Sequence, residues 1–325
     1  MSVVIPEISV IVPAYNVERF LPDCFECIIG QTFSSWELLV ADDGSSDRTG
    51  QIADDYAKND ERIKVIHTSR QGVSAARNTC IKISCGRYLA FVDSDDRLEP
   101  KYLEELYNQA EHNSADIAQC SFRYMNEIDN AISEPVGINA VYDDPSAILN
   151  AYFNGQQGDI TTSVWSKLFR RAAFSDICFD TNLRVYEDAY YVFQCCLKSK
   201  KVVCFNSPLY FYIQREDSTT HAWISEIWID YFTFYERQKG VFHNQRSIIK
   251  KVDRREAETG LWLIRNMIIK GRKQDIWNVR NRLINISCSV IFSSAPLHIK
   301  IKLVALVLMP HLYLKMLKNR LAIKL

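Results

Sequence analysis

The side chains best placed to do chemistry are Asp93, Asp95 and Asp96, three carboxylates within four residues, directly after the apolar run Tyr88–Val92. That run reads as a buried strand. The acid therefore stands at a strand's carboxyl end, where open α/β sheets bind ligands. Asp93 and Asp95 are two apart and share one side of an extended chain. Crowded carboxylates repel unless positive charge lies between them. A hard divalent cation with oxygen ligands, Mg²⁺ or Mn²⁺, suits them. The competing reading is a helix start, with Asp95 or Asp96 capping a helix that opens near Glu99–Pro100.

Two more polar clusters follow apolar runs. Pro13-Ala14-Tyr15-Asn16 follows Ile8–Val12, and Asp42-Asp43-Gly44-Ser45-Ser46-Asp47 follows Trp36–Ala41. Between the runs lie stretches of helical spacing: 18–29, 47–57 with Ser45 or Ser46 as its cap, 73–84 carrying Arg77 and Asn78, and 100–111. Further strands are expected at Ile63–Ile66 and Ala115–Cys120. Strands alternating with helices at this spacing predict an α/β fold with a mostly parallel central sheet. Loops after the first, second and fourth strands then converge at one edge of the sheet.

Composition narrows the classes. The chain has 325 residues, 47% hydrophobic and 24% charged, as a globular protein does. Residues 276–325 carry eight Lys or Arg and no acid, leaving 31 basic against 39 acidic residues before them, a net of −8. An acidic body argues against nucleic acid as a partner. The ten cysteines are scattered, which reads as reduced thiols in a cytosolic protein rather than a disulfide framework. The Cys24-x-x-Cys27 pair lies in a helix pattern and has no second pair at zinc spacing. The N-terminus has neither a charged n-region nor a long apolar core, so a secretory signal is not expected. No G-x-G-x-x-G or P-loop follows a strand, which speaks against a dehydrogenase or a P-loop nucleotidase.

The stretches 10–16, 38–47, 72–78 and 88–96 (VIVPAYN, LLVADDGSSD, GVSAARN and YLAFVDSDD) resemble glycosyltransferase family 2 in family order, as do Gln31-Thr32 and Glu187-Asp188. The resemblance covers about residues 8–215. It implies the A-type glycosyltransferase fold, a nucleotide-binding half joined to an acceptor-binding half. It also implies inverting transfer from a nucleotide-sugar donor, UDP-linked by default, with Mn²⁺ or Mg²⁺. The acceptor would be a glycan or a lipid-linked glycan in polysaccharide or exopolysaccharide synthesis. Pro13, Tyr15, Asn16, Asp42, Asp43, Arg77 and Asp93 fall at the donor nucleotide. Tyr15 would stack on the base and Asp43 accept from the uracil imide, against a plain loop aromatic and the turn propensity of Asp-Asp-Gly-Ser. Arg77 would meet the diphosphate, against a surface helix arginine. Asp93 would lie near the ribose or the metal, and Asp95 would coordinate the metal.

An inverting transfer needs a base for the acceptor hydroxyl. Asp188 matches the family's base position, with Glu187, its neighbour on the acceptor side, as the substitute. The alternative is two acids favoured by a helix dipole. Trp165 and Lys167 are expected on the acceptor side, against a core tryptophan. His221 could add a metal ligand, against a surface histidine.

The expected division is a catalytic domain over 1–222 (nucleotide half about 1–120, acceptor half 121–222) and a helical region over 223–325. The tail after Pro296 alternates basic and apolar residues, as an interfacial helix on an anionic membrane does. That would place the enzyme in the cytoplasm, peripheral on the inner face of the plasma membrane. The alternative function is a catalytically silent nucleotide-binding subunit of a polysaccharide assembly complex.

Overall fold

A computed structural model describes residues 5–126, 133–154, 159–214, 228–243 and 245–322. The chain divides into two compact units, residues 1–215 and 216–325.

The first unit is built on the strand β1 (Ile8–Ala14), buried at every position. It pairs in parallel with β2 (Trp36–Asp42) on one side and β4 (Tyr88–Phe91) on the other. Strand β3 (Ile63–His67) extends the sheet beyond β2, also in parallel. Strands covered on both faces need unbroken apolar runs, which is why these segments lack alternation. Helices α1 (Leu21–Ile29), α2 (Thr49–Asn59) and α3 (Val73–Ile83) make the crossovers. Ala14 lies opposite Asp42 and Ile11 opposite Phe91. The polar residues after all three strands therefore leave the sheet at nearly one level.

Beyond β4 the sheet is mixed. The elements are β5 (Arg97–Leu98), α4 (Tyr102–Asn113), β6 (Ile117–Asn126), β7 (Ala140–Tyr142), α5 (Pro145–Asn154), β8 (Lys167–Arg170), α6 (Glu187–Lys198) and β9 (Val202–Gln214). Strand β8 inserts antiparallel between β4 and β6, giving the order β3-β2-β1-β4-β8-β6-β9-β5 among the described residues. The spacing pattern alone would have put β6 beside β4. Strand β9 runs parallel to β6 with a register shift near Cys120–Phe122, where Pro208 sits. A proline is tolerated in a strand at such an irregularity.

Helix α4 is held by Gln31. Its Oε1 accepts from the N–H of Leu103 at 2.9 Å, and its Nε2 donates to the carbonyls of Cys27 and Glu99. Neither Asp95 nor Asp96 caps this helix, because β5 intervenes and α4 begins only at Tyr102. Likewise Ser45 and Ser46 do not cap α2. Asp47 Oδ1 accepts from the N–H of Thr49 and Glu18 Oε2 from that of Arg48.

The second unit is helical: α7 (Trp228–Val241), α8 (Arg246–Ile269), α9 (Lys273–Ile291), α10 (Leu297–Leu308) and α11 (Pro310–Ala322). Pro296 and Pro310 mark the breaks before α10 and α11, as proline at a helix start does. Among the described residues no helix is long and apolar enough to cross a membrane. Helices α7, α8 and α9 share one ionic knot. Glu256, 0% exposed, takes Lys239 Nζ at 2.5 Å and Arg282 Nε at 2.7 Å, and Lys239 also meets Asp253. Removing the central acid leaves two cations without it. Glu256→Leu is expected to cost the second unit about 3–5 kcal/mol. Denaturant unfolding should then show an early transition for this unit, with the first unit's transition unmoved.

Candidate functional site

Arg77 sits on α3, 3% exposed, and joins three separate segments. Its Nη2 donates to Asp93 Oδ1 at 2.9 Å, just past the end of β4. Its Nη1 donates to Glu187 Oε1 at 3.4 Å and to Asp188 Oδ1, both in the first turn of α6. The guanidinium also lies over the Phe179 ring, 5.1 Å from its centroid. Phe179 is placed by Asn78, whose side-chain amide bonds both the N–H and the C=O of residue 179 at 2.8 Å. Adjacent residues of α3 thus hold Asp93, the pair Glu187 and Asp188, and the segment at Phe179. Arg77 is not the exposed helix arginine that its spacing allowed.

The acidic turn after β4 is pinned from β9. Asp96, almost fully buried, accepts from Tyr210 Oη at 2.6 Å and from the N–H of Ile213 at 2.9 Å. The N–H of Asp93 in turn donates to Tyr210 Oη at 3.2 Å. Asp96 is therefore a structural acid, while Asp93 and Asp95 stay partly exposed. Burial and the charges of Asp95 and Asp93 push the Asp96 carboxyl well above the ordinary range. Burial and the same three acids raise the Tyr212 hydroxyl. The partly exposed carboxylates of Asp93 and Asp95 are oxygen ligands of the kind a hard cation prefers. Among the described residues no group of three His, Cys, Asp or Glu side chains converges as a ready cation site. His221 lies outside the described residues.

The loops after β1 and β2 are laced together. The N–H of Asn16 donates to Ser45 Oγ at 3.0 Å, and Asn16 Oδ1 accepts from the N–H of Ser46 at 2.9 Å. Asn16 takes a positive φ of 50°, which asparagine tolerates better than most residues. Pro13 is inside β1 opposite Ala41. Asp42 is buried, bonded to His67 Nδ1 at 2.9 Å and to the N–H of Ser45, beneath the start of α2. Asp43 Oδ1 accepts from the N–H of Gln71 at 2.8 Å and from Thr68 Oγ1, and Oδ2 accepts from the N–H of Gly72 at 2.7 Å. Gly72 has φ 94°, a conformation that glycine supplies without strain. Tyr15 lies at this edge with the Arg70 guanidinium 4.2 Å from its ring centroid. Arg70 was not singled out from the sequence, where nothing marks it off from other loop arginines.

The two residues expected on the acceptor side are both interior. Trp165 stacks on Tyr210 at 4.9 Å and on Tyr212 at 5.5 Å, with Phe122 edge-on. It backs the tyrosine that holds the acidic turn, which is the core-tryptophan reading. Lys167 is 0% exposed, and its ammonium donates to Thr161 Oγ1 and the Ser163 carbonyl. Neither presents a face to a bound glycan.

One guanidinium faces three carboxylates, so the acids compete for it. Burial, then the Asp188 charge, pushes Glu187 up to about 8, although Arg77 opposes the shift. Burial raises Asp188 too, and Arg77 holds it down. At neutral pH the Glu187–Asp188 pair therefore holds a proton between them. A raised acid binds more protons folded than unfolded, so its contribution to stability falls with rising pH between 4.5 and about 8. Glu187→Gln should remove that slope. Unfolding free energies taken across this window should fall less steeply for the variant than for the wild type.

The glycosyl transferase family 2 model matches residues 9–178. The uncharacterized glycosyltransferase EpsJ of Bacillus subtilis is 36% identical over 66% of this chain, and the match spans 63% of EpsJ, less than two thirds of its length. In structure, S. aureus TarS 1-349 in complex with UDP-GlcNAc superposes with a TM-score of 0.69 at 19% identity, covering 96% of this chain and 87% of that one. The mannosyltransferase PcManGT from Pyrobaculum calidifontis, in complex with GDP-Man and Mn²⁺, has a TM-score of 0.53 at 14% identity, covering 97% and 84%. These two show the fold. With the family match over more than half of its length, the chain belongs to glycosyl transferase family 2 and has the A-type glycosyltransferase fold.

Proposed function

We propose that this chain is an inverting glycosyltransferase that moves a sugar from a nucleotide-sugar donor to a glycan or lipid-linked acceptor in cell-surface polysaccharide synthesis. The observation that carries the reading is the Arg77 bridge. It ties Asp93, at the strand ends where a nucleotide would bind, to Asp188. A direct displacement needs the base for the acceptor hydroxyl held at a fixed position relative to the group that binds the donor.

In this reading Tyr15 and Asp43 meet the base, with Pro13, Asn16 and Asp42 shaping the loop around it. Asp43 Oδ2 already holds the Gly72 N–H and keeps a lone pair for an imide N–H. UDP is the preferred donor nucleotide, by analogy with the TarS complex. Arg77 and Asp93 border the diphosphate and ribose. Asp188 takes the proton of the acceptor hydroxyl as its oxygen bonds to the anomeric carbon, and the bond from that carbon to the phosphate oxygen breaks. Arg77 favours the ionised form of Asp188, which a base requires.

Two partly exposed carboxylates are too few to cage a metal. They suit a Mg²⁺ or Mn²⁺ ion that takes its other ligands from a diphosphate and water. Asp95 would hold it, with Asp93 beside it. Such an ion offsets charge on the departing nucleoside diphosphate.

Asp188→Asn keeps the shape and cannot take the proton. Transfer should fall by roughly two to four powers of ten, with UDP affinity unchanged. Nucleoside diphosphate release in the presence of Mn²⁺ reads the first, and calorimetric titration of UDP reads the second. Transfer at the wild-type rate in Asp188→Asn would move the base elsewhere, and nucleotide binding without any transfer by the wild type would leave a nucleotide-binding subunit as the better reading.

The tail supports peripheral attachment to an anionic membrane on the cytoplasmic side. Leu297, Ile301, Leu308, Met309, Leu312 and Met316 are exposed on α10 and α11, and exposed Lys302, Lys315, Lys318 and Arg320 lie among them. Each such cation is worth about 1 kcal/mol near an anionic surface. The full-length protein should sediment with phosphatidylglycerol vesicles at low salt. The triple change Lys302→Glu, Lys315→Glu, Lys318→Glu should release it while UDP binding persists.

A further inference from the structure

Lys167 is a fully buried cation that the proposed chemistry does not use. It opens β8 opposite Gln119 of β6, and the two side chains reach into the same irregular segment, residues 159–166. Gln119 Oε1 accepts from the N–H of Thr161 at 2.9 Å, and its Nε2 donates to the Asp159 carbonyl at 2.8 Å. The Lys167 ammonium donates to Thr161 Oγ1 at 2.5 Å and to the Ser163 carbonyl at 2.6 Å. The next residue, Val164, turns its N–H to Asp188 Oδ2 at 3.5 Å, the outer limit of a hydrogen bond.

We propose that Lys167 is a positioning residue for Asp188: from inside the sheet it grips the segment 161–163 and fixes the Val164 N–H against the carboxylate. The proposal rests on the reading of Asp188 as the base.

Burying an ammonium costs several kcal/mol unless hydrogen bonds and opposite charge offset it. Two hydrogen bonds are present. Burial lowers Lys167 to about 8, and the neighbouring thiols Cys204, Cys196 and Cys120, then Asp188, act against that. The groups facing Asp188 are Arg77 from α3, Asp93 from the β4–β5 turn, Glu187 on its own helix and the Val164 N–H. The Val164 N–H favours the ionised carboxylate, and Lys167 acts on Asp188 through the segment that carries that N–H.

The test follows the Asp188 carboxyl carbon by ¹³C NMR pH titration in the full-length protein, assigned with Asp188→Asn. Lys167→Met keeps the length of the stem and removes the charge. The Asp188 midpoint should move to higher pH by about half a unit or more, and the Val164 amide should cease to report that titration. Thr161→Val keeps the ammonium and removes one of its acceptors. It should weaken the Val164 response with a smaller shift of the midpoint. With any donor and acceptor that give turnover, Lys167→Met should lower kcat by up to about 100-fold at unchanged UDP affinity. A Lys167→Met protein that is merely less stable, with the Asp188 midpoint and the Val164 response unmoved, overturns the proposal. Should Lys167→Met not fold, an unaltered Val164 response in Thr161→Val overturns it. Neither titration depends on catalysis. Loss of the base reading, by full activity in Asp188→Asn, is therefore a separate result.

Discussion

The site depends on one buried guanidinium. Arg77 binds acids from a strand end and from a helix start more than a hundred residues later in sequence. Planar, forked donors let a single side chain serve several carboxylates at once. Its charge is insufficient for all of them. One consequence follows from that deficit: the buried Glu187 is pushed up to about 8 although Arg77 opposes the shift.

The rest of the first unit serves to bring those groups within reach of Arg77. Parallel pairing of β4, β1 and β2 ends three strands at one level. The loops there are cross-bonded rather than separately folded, with Asn16 on Ser45 and Ser46, and Asp43 on Gln71 and Gly72. Bonds of this kind satisfy backbone donors that a loop would otherwise leave to water. They also fix the loops at this edge relative to one another, so less ordering cost would fall on a ligand bound there.

A second support comes from the mixed half of the sheet. Tyr210 of β9, backed by Trp165, anchors the acidic turn through Asp96, and Gln119 with Lys167 anchors the segment before β8. Polar residues inside the sheet are thereby tied to irregular backbone rather than left unpaired, which is the condition for burying them. The acids that work and the acids that hold stand side by side in one turn, separated by a single residue step from Asp95 to Asp96.

Much was legible in the sequence. Apolar runs named the strands β1, β2 and β4, because a strand covered on both faces is apolar nearly throughout. The polar residues after those runs pointed to one edge of the sheet, and parallel pairing brings them to it. The motifs carried the family. Tertiary structure alone decided the remainder. It slotted β8 between β4 and β6, a placement no local pattern encodes because antiparallel insertion depends on long-range pairing. It buried Arg77, Asp96 and Lys167, residue types whose ordinary place is the surface. It also made Asp96 a strut while its neighbour Asp95 stayed half exposed, a difference set by the position of Tyr210 more than a hundred residues away. Periodicity reports which face of an element is apolar. Whether a charged residue is buried depends on partners that only the folded chain brings to it.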